Sequence, residues 1–171
     1  MRSISILAAG IIAAALASGS AVAQSRADQK FIKEAIEGNL AEVQMGQLAQ
    51  KNGASQGVKD FGQMLVTDHG QANTRANSVA NALKVPPPTE PNAKQKKEYA
   101  KLSKLTGAAF DKAFAAGMVM DHKHDIAAFK KASSSKEPNV AAFASETLPT
   151  LQKHLETAQS LQKGGGKSAT R

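Results

Sequence analysis

The sequence predicts an all-α protein: four long helices in two hairpins, joined by one long crossover that carries a short extra helix. Three observations predict it. Apolar residues recur at three- and four-residue steps along four separate segments, the spacing of amphipathic helices. Ala, Leu, Lys and Gln are abundant, aromatic residues make up only 4%, and there is no Trp, a balance that favours helix over strand. The stretch from Lys84 to Leu105, 22 residues opened by Pro86-Pro87-Pro88, separates the second and third long segments and is much longer than either hairpin loop.

The first 23 residues read as a leader and not as part of the fold. Met1-Arg2-Ser3 is a short basic start, Ile4 to Ala17 is apolar and small, and Ala21-Val22-Ala23 is a cleavage site. Cleavage near Ala23 implies a periplasmic or secreted protein whose globular domain spans 24–163. The first long helix is expected from an N-cap at Asp28 to about Lys51, with Phe31, Ile32, Ala35, Ile36, Leu40, Val43 and Leu48 on its apolar stripe and Asn52-Gly53 as its stop. The second runs from about Ser55 to Leu83, with Val58, Phe61, Leu65, Ala72 and Val79 inward. Its end is set by the prolines, which cannot continue a helix. Thr89 to Leu105 holds the short helix, anchored by Tyr99, Leu102 and Leu105. Thr106 caps the third long helix, which reaches about Ala132. Glu137-Pro138 opens the last, with Pro where its missing N–H costs nothing. Phe143, Thr147, Leu151, His154, Ala158 and Leu161 face inward, and Pro149 predicts a kink. Gly164-Gly165-Gly166 ends it, leaving 164–171 as a disordered tail. A bundle of two hairpins with one long crossover is the ferritin-like arrangement.

Composition narrows the chemistry. The chain has no Cys, so it has no disulfide, thiolate metal site or Cys nucleophile. A metal would have to be held by His and carboxylate, which suit iron, manganese or zinc. The formal charge is +8, or +7 once Arg2 leaves with the leader. Lysines gather at Lys94, Lys96, Lys97, Lys101 and Lys104. Such a surface is either simply solvated or attracts anionic envelope components. Nucleic acid is not expected, because no aromatic interleaving or reading helix accompanies the charge. Self-association into a homo-oligomer stays open. There is no nucleophile elbow, phosphate loop or catalytic triad, and no metal-free catalysis is expected. Met45, Met64, Met118 and Met120 read as core filler.

One phrase occurs twice, Leu65-Val66-Thr67-Asp68-His69 and Met118-Val119-Met120-Asp121-His122, each with a Phe seven residues before its Asp. Stepping from Phe61 by four, three and four puts Asp68 on the inward stripe and His69 about 100° to its flank. Asp121 repeats that placement. Glu42 lies at the stripe of the first helix and His154 on that of the last. Asp121 and His124 stand three apart, like the E-x-x-H of di-iron bundles, but no E-x-x-H is present and Gln71 occupies the matching place in the first copy. The set Glu42, Asp68, His69, Asp121, His122 and His154 is therefore read two ways: a transition-metal site, or a buried polar network that braces a structural or interaction module.

Six pieces carry a resemblance to a known family: Gly38 to Ala49, Val58 to Phe61, Leu65 to Asn73, Leu102 to Asp111, Met118 to His122, and Thr147 to Leu155. The chain over about 28–162 resembles the bacterial exported helical proteins called domain of unknown function 4142. The resemblance implies a ferritin-like bundle in the envelope and implies no activity. Its pattern includes the positions of Glu42, Asp68, His69, Asp121, His122 and His154, which makes those six the candidate metal residues. Leu65 stands where the family usually has Met.

Overall fold

The structure, a computed structural model, describes residues 12–164, with side chains from residue 26. Five helices follow one another: α1 (Ile12–Asn52), α2 (Gln56–Ala82), α3 (Ala93–Leu102), α4 (Gly107–Ala132) and α5 (Pro138–Gly164). Of the expected leader, 1–11 lie outside the described residues and 12–23 fall in the start of α1. Residues 165–171 of the expected tail also lie outside. Among the described residues no helix is long and apolar enough to cross a membrane.

Local chemistry explains most boundaries. The Ser55 side chain accepts from the Val58 N–H and caps α2. Asn92 and Gln95 form a reciprocal capping box at α3. Thr106 occupies the N-cap position of α4 without making a side-chain bond, and Gly107 follows at φ 64°, a backbone conformation suited to glycine. One expectation fails. Asp28 does not start α1: the helix runs straight through it, since the Ala- and Gln-containing residues upstream sustain helix as well as those downstream. Asp28 is instead buried and accepts a hydrogen bond from Ser135 Oγ at 2.7 Å. α5 holds Pro149 within its length, on an exposed face where water can serve the carbonyl that proline leaves unbonded.

α1 packs along α2 and α4 along α5, and the two hairpins meet through α2 with α5 and α1 with α4. This is the ferritin-like four-helix bundle with α3 on its crossover. α3 buries none of its own residues, while Tyr99, Leu102 and Leu105 rest against the core. α1 and α2 approach most closely at Gly46 and Gly62. A Cβ on Gly46 would lie 2.5 Å from the Gly62 carbonyl oxygen, and one on Gly62 would lie 2.6 Å from that of Gly46.

The core comes in two blocks. One gathers Ile32, Ile36, Val79, Phe129, Val140 and Phe143. The other gathers Met45, Phe61, Leu65, Phe110, Phe114 and Met118. Between them along every long helix lies a polar stretch, around Glu42 on α1, His69 on α2, His122 on α4 and His154 on α5. Met120 is not core filler: it is 70% exposed, whereas Met45 and Met118 are buried and Met64 is partly so.

The two copies of the repeated phrase face each other. The rings of Phe61 and Phe114 stand 5.9 Å apart, and those of His69 and His122 5.8 Å apart. Both pairs are separated by the same number of residues (114 − 61 = 122 − 69 = 53), so α2 and α4 run parallel and in register across the bundle.

The Gly46–Gly62 contact sets the α1–α2 spacing. Gly62→Ala should cost about 1–3 kcal/mol through backbone displacement and lower the melting temperature of metal-free protein by roughly 2–10 °C. Gly117→Ala, where an added Cβ meets nothing within 4 Å, should be neutral or raise stability by up to about 1 kcal/mol. Calorimetry of both variants checks the contrast.

Candidate metal centre

The register of α2 and α4 decides which member of each Asp-His pair turns inward, and it is the His. His69 is 3% exposed and His122 is 0% exposed, while Asp68 and Asp121 lie half-buried on the flank. This reverses the sequence expectation. The reason is the width of the buried arc. Relative to Phe61, residues 58, 62, 69, 76 and 80 lie about 60° to 100° round the helix, whereas Asp68 lies about 20° the other way. Phe61 is thus near one edge of the buried face and not its centre. The small residues Gly62, Ala76 and Ala80, buried with it, carried the missing signal. The same holds for Phe114, Met118 and His122 on α4.

Four side chains, one from each long helix, meet in the polar stretch: Glu42, His69, His122 and His154. His69 Nε2 is 3.1 Å from Glu42 Oε2 and His122 Nε2 is 3.6 Å from the same oxygen. His122 Nε2 is 3.2 Å from His154 Nδ1. The three imidazoles each offer a ring nitrogen, and these lie within 4.8 Å of one another. Phe61 forms the apolar floor, its ring 6.4 Å from that of His122 and 5.9 Å from that of His154.

The outward nitrogen of each ring is already engaged. His122 Nδ1 is 3.0 Å from the Met118 carbonyl, which can only accept, so this nitrogen carries the proton. His154 Nε2 donates to Asp68 Oδ2 at 2.8 Å. His69 Nδ1 donates to Asn39 Oδ1 at 2.9 Å. In the neutral rings of His122 and His154 these bonds leave the second nitrogen as a lone pair aimed at the centre, whereas the second nitrogen of His69 lies beside the Glu42 carboxylate, which favours a proton on it. His122 Nε2 and His154 Nδ1 then present two lone pairs to each other, an arrangement that needs a cation or a shared proton to hold it. Glu42 Oε2 and His69 Nε2 are likewise buried without a hydrogen-bond partner, although they lie in ion-pair range.

Electrostatics agree with this set. Burial alone would raise the Glu42 carboxyl, but the surrounding rings of His122, His69 and His154 hold it down at about 2. Burial would lower His69, yet the Glu42 carboxylate raises it overall. Burial depresses His122, and burial with His69 close by depresses His154 to about 4. Near neutral pH Glu42 is therefore ionised, and His122 and His154 are neutral, the form that binds a metal.

The six sequence candidates thus divide. Glu42, His69, His122 and His154 come together. Asp68 stands behind the ring of His154. Asp121 makes no hydrogen bond or ion pair among the described residues, and burial, Glu42 and Glu98 raise it to about 6. The Asp121–His124 pair does not enter the bundle, since His124 is exposed. Sequence reasoning missed two residues. Asn39 continues the spacing of Ile32 and Ile36, so an amide on that stripe was a readable signal. Asp125 lies one turn after Asp121, and burial and Glu42 raise it to about 7; nothing in its sequence context distinguished it.

The chain matches the model of a family described as a domain of unknown function (DUF4142) over residues 13–161, nearly its whole length. It belongs to that family. Among solved structures it is similar to the crystal structure of a DUF305 fragment from Deinococcus radiodurans, at 12% identity and a TM-score of 0.71, over 81% of this chain and 96% of that one. That likeness concerns the fold alone. Comparison with curated proteins gives no match.

Asp125 supplies a test of these fields. Its carboxyl titrates near 3.8 when unfolded and about 7 when folded, so the ionised form is disfavoured in the fold. Stability tied to Asp125 is intact below pH 3.8 and is lost as pH rises toward 7. The stabilising effect of Asp125→Asn should therefore grow from pH 4.5 to pH 8, as followed by thermal melts of metal-free protein. An effect independent of pH would contradict the placement.

Proposed function

We propose that this protein is an exported bundle that holds one transition-metal ion through Glu42 Oε2, His69 Nε2, His122 Nε2 and His154 Nδ1. The observation that carries the reading is the meeting of two buried inward lone pairs, His122 Nε2 and His154 Nδ1 at 3.2 Å, beside the Glu42 carboxylate and His69 Nε2. Metal–nitrogen bonds of about 2.0–2.1 Å around a tetrahedral ion place neighbouring donors about 3.3 Å apart. Three of the six donor separations, 3.1, 3.2 and 3.6 Å, bracket that value, and the three ring nitrogens all lie within 4.8 Å of one another. Three imidazoles and a carboxylate suit zinc, iron or manganese. Asn39, the Met118 carbonyl and Asp68 would hold the three rings in the required tautomer. The donor set supports a single ion and not a pair, because Asp121 and His124 do not join it. The leader-like start and the basic surface support a place in the cell envelope, where retention or delivery of a metal under stress fits a bundle with no other catalytic group.

A second reading rests on the same contacts. Asp68–His154 at 2.8 Å and Asn39–His69 at 2.9 Å join different helices, as a network whose role is to brace a structural or interaction module would do. Protein made without a His-tag separates the two. The metal reading expects about one bound ion per chain by elemental analysis, lost in the His69→Ala/His122→Ala variant. It also expects the ion at a hundredfold excess over its dissociation constant to raise the melting temperature by roughly 5–10 °C. Bracing alone expects no bound metal and no response to a chelator.

The ligand assignment makes a finer prediction. Asp68→Asn should weaken metal binding by about 10–100-fold by loosening His154, whereas Asp121→Asn should leave it within about twofold. Competition titrations against a chromophoric chelator measure both, and equal losses would return Asp121 to the site.

A further inference from the structure

Four protein donors could seal a metal from solvent, but a cavity adjoins two of the residues that carry them. A cavity of about 40 Å³ lies between α2 and α5, lined by Asp68, His69, Arg75, Thr147, Thr150 and His154 among others. It contains two of the four donor residues. Glu42 and His122, on α1 and α4, are not part of its lining. The volume holds about three water molecules or a ligand of two or three heavy atoms.

The lining is polar where such a ligand would sit. Thr147 donates to the Phe143 carbonyl at 2.7 Å, so its hydroxyl oxygen faces other groups only as an acceptor. The Asp68 carboxylate is 30% exposed and tied to His154. Arg75 stands at the lining 3.4 Å from Glu146, with both side chains well exposed. A divalent ion with the Glu42 carboxylate and three neutral imidazoles carries a net single positive charge, which a monoanion neutralises. Arg75 places a guanidinium at the way in, partly offset by Glu146 beside it and by the Asp68 carboxylate in the lining.

We propose that the metal takes an additional, exchangeable ligand through this cleft: water or hydroxide at rest, displaced by a small monoanion. This rests on the metal reading above and deepens it. The centre would then be an open site that exchanges a small ligand and not a purely structural closed one, even though four side chains hold the ion. The entry route passes between His69 and His154, and the cavity volume limits the ligand to about three atoms.

Cobalt(II) and azide test this on the full chain. Cobalt reports its coordination number through its visible absorption bands, which weaken when a four-coordinate ion gains a ligand. Azide should change the bands of cobalt-loaded protein saturably. Thr150→Phe, which fills the cleft, should keep the cobalt and reduce the azide response at least tenfold. Arg75→Glu, an exposed change that leaves the cleft open, should weaken azide binding several-fold and keep the cobalt. Cobalt bound with bands indifferent to azide would overturn the open site while leaving the metal centre standing. An azide response unchanged by Thr150→Phe would overturn the route. Failure to bind cobalt, zinc, iron or manganese at all would overturn the metal reading, and this inference with it.

Discussion

A carboxylate sits at the middle of this bundle, and the rest of the structure is arranged to accommodate it. Glu42 is 5% exposed, with apolar blocks on either side of it along the bundle. An ionised carboxylate is costly in such a place unless it is paired. Each of the other three long helices contributes one imidazole to the same level, and His69 and His122 lie within 4 Å of its Oε2. The apolar blocks supply the burial energy, and the polar layer fixes how the helices align. Sliding one helix by a turn, about 5.4 Å, would separate its ring from Glu42 and bring an apolar residue against the charge.

The long crossover gives this layer its symmetry. A short loop between the second and third long helices would make them antiparallel neighbours. The crossover carries the chain back along the bundle, so α2 and α4 run parallel, and a phrase that ends in Asp-His in both reaches the centre at the same height. That is why Phe61 meets Phe114 and His69 meets His122 at one common offset. The repetition serves the geometry of the centre as well as the helices that carry it. The Asp of each phrase has diverged in use. Asp68 anchors His154 from α5, whereas Asp121 stays on the flank among the acidic groups Asp125, Glu98 and Glu42.

Much of this was legible without coordinates. Three- and four-residue spacing, the start of the second helix at Ser55, and Pro86-Pro87-Pro88 after α2 are local signals, because capping and the missing proline N–H act within a few residues. Glu42 and His154 were also recognisable as unusual groups at apolar stripes, and His69 and His122 as members of a repeated pair, although they were read on the flank. What misled was the choice of Phe61 and Phe114 as the centres of those stripes. A large aromatic reaches the core from the edge of a wide buried arc, and the alanines and glycines that marked its true centre carry almost no hydropathy signal. Asp28 misled for a related reason: an Asp can cap a helix, but here it lies within one and binds Ser135, 107 residues away.

The sequence by itself determined the number of long helices, the long crossover, the absence of thiolate chemistry and the four residue types from which a centre could be built. These depend on periodicity and on residue chemistry, which are properties of the chain. Only the tertiary structure decided that the imidazoles and not the aspartates turn inward, that Asn39 and the Met118 carbonyl set the ring tautomers, and that a cleft between α2 and α5 reaches two of the rings. Those depend on rotations of a few tens of degrees and separations of an ångström or less between helices remote in sequence. Such quantities are fixed by how side chains pack across the bundle, and no single segment contains them.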